Sequence, residues 1–294
     1  MPIVEASSGV LHLLEVDGAN CGPVVSVEGG WGFADVIEEP LGSVVKKRPG
    51  PPRWGELELE LALPVARPVF AWIAASWKGD VRARNLLLTT VDLGGNVLVR
   101  REFRNAVLTA TTIPPLDASS DPDVLALRLV SQTARTTMPT GTVPLPTRPR
   151  LGPLYPRLEL PGLDCTHIAR IDELTVRQAF RSVSADPRVA LEPGPLSFPN
   201  LTVTLRTPSA TDWQQWFENF VVKGYSDDSN EKTGTLTLLD EQRQQGLVRI
   251  GLFNVGIFQL TGPTYEVVPS AEGPRLITRV VAGLYCERME FTLP

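Results

Sequence analysis

With two histidines, three cysteines and three methionines in 294 residues, the chain is poor in the side chains that most sites are built from. Neither His12 nor His167 has a cysteine or a second histidine at metal-ligand spacing, so no zinc site is expected. Cys21, Cys165 and Cys286 do not make a disulfide framework; they read as buried free thiols in a reducing cytoplasm. No G-x-S-x-G, P-loop or dinucleotide fingerprint occurs. Excess charge is missing as well. A net charge of −5 offers no basic footprint for sequence-specific nucleic-acid binding and no polybasic membrane patch. No apolar run approaches a spanning helix, and the opening MPIVEASSGVLHLLEVDG lacks a charged leader and a signal-length apolar core. These absences predict a protein with no catalytic residue, cofactor or metal, assembled in the cytoplasm.

What the chain does have is a repeated pattern. Ser209–Gly224 reads as an amphipathic helix, with Trp213, Trp216, Phe217, Phe220 and Val221 at i, i+3, i+4, i+7 and i+8 on one face. Ser209 with Asp212 suggests a capping box, and Lys223-Gly224 a C-terminal stop. Subtracting 144 carries Trp216, Phe217 and Val221 onto Trp72, Ile73 and Trp77 of a second such helix, Arg67–Lys78. The same offset takes Leu57–Leu61 to Leu201–Leu205, both alternating like half-buried strands, and Cys21 to Cys165. Three blocks at one offset in one order point to an internal duplication of roughly 145 residues. The division predicted is a first domain over 1–137, a proline-rich stiff linker over 138–157, and a second domain over 158–294.

Between the repeated blocks the pattern is of short strands. Apolar runs at Val10–Val16 and Pro23–Ile37 open the first half, and Leu158–Leu163 and Ile168–Phe180 open the second. Leu86–Asp92 and Val97–Phe103 flank Gly94-Gly95-Asn96, a hairpin signal, with further strands at Ala106–Ile113 and Val124–Val130. A second hairpin pairs Thr233–Leu239 with Leu247–Phe253, before strands at Val255–Leu260 and Leu276–Phe291. Many short strands with one helix per half argue for a mainly β domain with a helix against it. Glu38–Trp54 is too rich in proline for a central strand and reads as a solvated loop or as an arm reaching another subunit. Ser182–Pro195 is the shorter, less basic counterpart.

The remaining candidates are weak. Asp227-Asp228-Ser229-Asn230-Glu231 lacks the glycine and distal glutamate of a calcium loop, and Asp117 with Asp121 sits in a polar turn. Trp72, Trp77, Trp213 and Trp216 fall at helical spacing on an apolar face, which favours core packing over a stacking platform.

On these residues each half resembles the tail-tube proteins of contractile phages and injection machines, whose fold the tube subunit of type VI secretion shares. In the first half the likeness rests on LEVDG, on VVKKRPGPPRWGELELEL, on the helix with Trp72 and Lys78-Gly79, and on Glu102–Ala106. In the second it rests on PNLTVTL, WQQWFENFVVKG and Phe253–Gly256, without the basic K-K-x-G loop. The resemblance implies two tandem tube-type small β-barrels, each of two packed antiparallel sheets flanked by one α-helix. In that family six copies form a ring and rings stack, so two domains per chain imply a homo-oligomer, a trimer closing a pseudo-hexameric ring. It also implies partners among tail-tube, hub or sheath proteins of a particle released or fired outside the cell. By position Val44, Val45, Lys46, Lys47, Arg48, Pro49, Gly50, Pro51 and Pro52 match the family's inter-subunit arm. A tube-fold chaperone or adaptor for effector cargo is the other function this likeness implies.

Overall fold

The computed structural model describes residues 9–117, 124–147, 151–182, 191–206, 210–268 and 275–293. The protein is mainly β, built from antiparallel sheets with two α-helices among the described residues. In chain order the first elements are β1 (Val10–Val16), β2 (Ala19–Val24), β3 (Ser26–Gly29), β4 (Gly32–Leu41), β5 (Val44–Trp54) and β6 (Leu57–Leu61). Helix α1 (Arg67–Ser76) follows, then β7 (Arg84–Asp92), β8 (Val97–Ile113), β9 (Leu116–Asp117), β10 (Leu125–Val130) and β11 (Thr133–Thr137). The second half supplies β12 (Tyr155–Glu159), β13 (Ile168–Ile171), β14 (Leu174–Ser182), β15 (Leu191–Ser197), β16 (Leu201–Arg206) and α2 (Ala210–Phe217). It ends with β17 (Lys232–Leu239), β18 (Gly246–Val268) and β19 (Arg275–Thr292).

Two compact units result. One comprises the described residues of 1–111, 125–150 and 177–196, the other those of 112–124, 151–176 and 197–294. Neither is continuous in sequence: most of the β14–β15 ribbon belongs to the first, and β9 to the second.

The first unit follows the strand path β2-β1-β7-β8-β10-β6-β3. Alternation sets its faces. Leu57, Leu59 and Leu61 of β6 are buried, while Glu58 and Glu60 turn outward to meet Arg128 at 3.0 Å and Ser26 at 2.6 Å. Val69, Trp72, Ile73 and Trp77 carry α1 into this core, and Trp72 Nε1 donates to the Arg82 carbonyl at 2.9 Å. Pro68 suits the first turn of α1, where its missing N–H would have no partner. The segment after β11 is pinned to the β7–β8 turn, where Val143 N donates to the Gly95 carbonyl and Val97 N to the Gly141 carbonyl, both at 2.9 Å.

The second unit follows β12-β17-β18-β19-β16-β13-β9. Its first strand β12 lies in contact with β13 and with the last strand β9, so the sheet curls into a nearly closed barrel. Trp213, Trp216 and Phe220 seat α2 on it, with ring centroids 6.1 Å apart for the first pair and 6.0 Å for the second.

Set side by side, β1-β7-β8-β10-β6-β3 and β12-β17-β18-β19-β16-β13 are one path written twice. Helix, ribbon and the β7–β8 and β17–β18 hairpins fall at the same places in each half, while β2 has no counterpart among the described residues of the second.

Several boundaries differ from the sequence reading, for local reasons. The run Pro23–Ile37 is divided among β2, β3 and β4, and Gly29 and Gly30, with φ of 71° and 66°, turn the chain between β3 and β4. Ile168–Phe180 likewise divides into β13 and β14. Conversely, Val97–Phe103 and Ala106–Ile113 are one strand, bent at Asn105 with φ 50°, and β18 runs through Asn254 with φ 55°. Glu38–Trp54 is not a loop: it is the end of β4, a tight turn and β5, paired as an antiparallel ribbon. Its prolines are tolerated because a two-stranded ribbon leaves outer edges that need no donor. The α2 helix does not run regularly to Gly224. It widens into a π turn over Glu218–Val222, which rotates Val221 off the buried face to 41% exposure. Ser209, and with it the expected capping box, lies outside the described residues, as does Asp121.

Candidate assembly surface

The β4–β5 ribbon is the most exposed element of the first unit, and it contains the whole Val44–Pro52 segment. All nine of these residues are exposed except Gly50, which is half-buried. Antiparallel pairing sets Glu38 opposite Lys47 and Glu39 opposite Lys46. Lys47 reaches Glu38 at 2.7 Å, Arg48 bonds Glu39, and Arg53 lies 3.2 Å from Asp35. The basic cluster is therefore largely matched on its own ribbon. Four cations (Lys46, Lys47, Arg48, Arg53) against three carboxylates (Asp35, Glu38, Glu39) leave a net charge of +1 over residues 32–54. What is unmatched is apolar: Trp31, Phe33, Val36, Leu41, Val44 and Val45 are all exposed. Large apolar side chains on a solvated ribbon mark a surface for contact. The base of the ribbon is held by Arg101, whose guanidinium stacks 4.2 Å from the Trp31 ring and donates to the Gly29 carbonyl at 2.6 Å.

The second half builds the same device from a signal that the helix and strand blocks overshadow. Pro49-Gly50-Pro51 recurs as Pro193-Gly194-Pro195 at the offset of 144. In β5 a Cβ on Gly50 would lie 3.2 Å from the Asp35 carbonyl oxygen; in β15 one on Gly194 would lie 3.2 Å from Ala179 Cβ. Asp35 and Ala179 are themselves 144 apart, so the two ribbons cross at equivalent points. Gln178, buried, donates to the Gly194 carbonyl at 2.7 Å and ties the second ribbon. This ribbon also has a strand partner: β14 pairs β8 as well as β15, whereas among the described residues β4 pairs only β5.

The edge strands complete the picture. β13 carries β9 on its outer edge, through Ile171 opposite Leu116 and Arg170 opposite Asp117, with Arg170 Nη1 2.6 Å from Asp117 Oδ2. Among the described residues the equivalent strand β3 pairs only β6.

The core-helix residues separate from this surface. Trp72, Ile73, Trp77, Trp213, Trp216 and Phe220 are buried and Phe217 is half-buried, so they pack the cores of the two units.

Groups of catalytic type are engaged in structural contacts. His12 Nδ1 lies 2.9 Å from the Thr90 hydroxyl, and burial beside Arg101 pushes its pKa below the usual value. Asp227 accepts from the Ser229 and Asn230 side chains and caps a short turn; those bonds hold its carboxyl below the ordinary range. All three cysteines are free; Cys286 is buried, Cys21 and Cys165 are half-buried, and burial raises each thiol. Among the described residues no group of three or more His, Cys, Asp or Glu is placed to hold a metal. Among the same residues no helix is long and apolar enough to cross a membrane.

Comparison with known proteins gives partial likenesses. No protein-family model matches the chain, and no curated protein matches it. Among solved structures, it is similar to a chain of the sheath-tube complex of an extracellular contractile injection system, PVC, in the extended state. That likeness has 22% identity and a TM-score of 0.39, over 43% of this chain and 88% of the other. It is similar to a chain of the tube-terminating cap of the anti-feeding prophage at 22% identity and TM-score 0.39, over 47% and 93%. Hcp1 from Flavobacterium johnsoniae aligns at 17% identity and TM-score 0.31, over 45% and 99%.

Proposed function

We propose that this chain is a non-enzymatic structural subunit of a phage-like contractile tail or injection apparatus. It arises by duplication of a tube-type domain, with one copy drawn mainly from 1–137 and the other from 158–294. Three chains, each bringing two such domains, close a pseudo-hexameric ring that serves in the tube or as a hub-like adaptor. The observation that carries this reading is the six-strand path present twice, each copy with its helix and its ribbon at the same place. A head-to-tail contact whose rotation closes generates a ring, and sheet edges joined around it remove the exposed edges that otherwise aggregate. The likeness to tube and cap proteins of injection systems supports partners among tail-tube, sheath or hub proteins. Assembly in the cytoplasm, before the particle is released or fired, belongs to the same proposal.

Negative-stain imaging of the purified chain tests it. Rings with six lobes and a central channel are expected, alone or on addition of a partner ring. Particles without a channel under both conditions would overturn the reading.

A further inference from the structure

We infer that a second copy of this chain docks its β4–β5 ribbon along the open edge of β18, repeating between chains a join that one chain already makes with itself. This rests on the ring reading above and names its interface.

The internal join is the template. β7 leaves β8 at Ala106, and the Thr112 and Thr175 hydroxyls stand 3.0 Å apart, which places β14 on the length of β8 beyond that point. One ribbon is thereby given a strand edge, and one strand edge is covered. In the second half β17 leaves β18 at Val255. From Gly256 to Val268 β18 pairs only β19 among the described residues, so the edge equivalent to the one β14 covers is open. Phe258 stands 45% exposed on this stretch. The matching donor is the β4–β5 ribbon, which forms a sheet of its own and has no other strand partner among the described residues. Donor and acceptor are therefore both present on every copy, each without a further strand on its free edge among the described residues. A two-stranded ribbon is marginal in water until a further strand or face covers it. The occupant follows from equivalence: the element that covers β8 has Gly194 against Ala179, and β4–β5 has Gly50 against Asp35 at the same offset. Because the contact joins two different surfaces, it propagates head to tail and closes only as a ring.

Cysteine pairing locates the join. Thr175 corresponds to Trp31 at the offset of 144, and Thr112 to Thr261 at the offset of 149 that relates Asn105 to Asn254. The full chain is prepared as Trp31→Cys and as Thr261→Cys, with the wild type and the single-chain pair Thr112→Cys/Thr175→Cys as controls. Under mild oxidation the control pair forms a disulfide within one chain. Mixing the two single variants is expected to give a reducible dimer of chains that neither variant gives alone. Rings that form normally while the mixture yields no such dimer would overturn this interface and leave the ring reading intact. A chain that stays monomeric at every concentration, with or without a partner ring, and does not cross-link would overturn both.

Discussion

Tyr285 donates its phenolic hydrogen to Glu231 Oε1 at 2.6 Å, and its ring closes the aromatic row that seats α2, with its centroid 6.4 Å from that of Phe220. Asn254 Nδ2 donates to the other oxygen of Glu231 at 2.8 Å, so one carboxylate ties β18 and β19 together at the bend. Burial, and then the bond to Glu231, raise the Tyr285 pKa above its ordinary value of about 10. A raised value means the folded state keeps its proton longer than the unfolded chain. That contribution is whole below about pH 10 and declines as the pH rises past it. Melting curves of the wild type should therefore fall above about pH 10, and Tyr285→Phe should melt lower at neutral pH but with a shallower alkaline decline. An unchanged alkaline slope in the variant would contradict the assignment.

Trp213 is fully buried and its Nε1 donates to the Asp164 carbonyl at 3.1 Å. Trp213→Ala leaves a large cavity under α2 and should destabilise the second unit by about 3–5 kcal/mol. Denaturant unfolding should show one of two transitions shifted and the other retained.

Two glycines separate steric clash from backbone preference. Gly29 and Gly79 both have positive φ, of 71° and 77°. A Cβ on Gly29 would fall 2.1 Å from the Glu56 carbonyl oxygen, whereas Gly79 has open space. Gly79→Ala should cost only the left-handed conformation, about 1 kcal/mol. Gly29→Ala must also move backbone and should cost several times more. Equal midpoints for the two variants would refute the contact.

Replacing Lys46, Lys47 and Arg48 by alanine should leave both units folded, because exposed pairs such as Lys47–Glu38 contribute about 0–1 kcal/mol each. It takes the ribbon from +1 to −2, since three of its four cations are lost against three carboxylates. Weakened self-association with unchanged melting is the expected result, read by sedimentation velocity. Unchanged association would remove these three cations from the interface.

Much of the helix and strand framework is legible in the residues. Trp72 and Trp216 announce the two helices at one offset, and Leu57–Leu61 with Leu201–Leu205 announce the equivalent strands. The ribbon is less so. Pro49, Pro51 and Pro52 argue against a central strand, and that argument is sound, but it does not distinguish a loop from a ribbon whose outer edges need no donor. The repeated Pro-Gly-Pro was the available signal. Val221 defeats periodicity because a π turn changes the angle per residue only after Phe217. The meeting of Thr112 with Thr175 is invisible to any local pattern, since it depends on which strand edge is left uncovered 63 residues away.

Native mass spectrometry of the purified chain, titrated in concentration, tests the central claim most directly. One chain weighs 32.1 kDa, so the closed ring is expected as a discrete species of three chains, about 96 kDa, without a populated four-chain species. A strict monomer across the titration, unchanged when a partner ring is supplied, would contradict it.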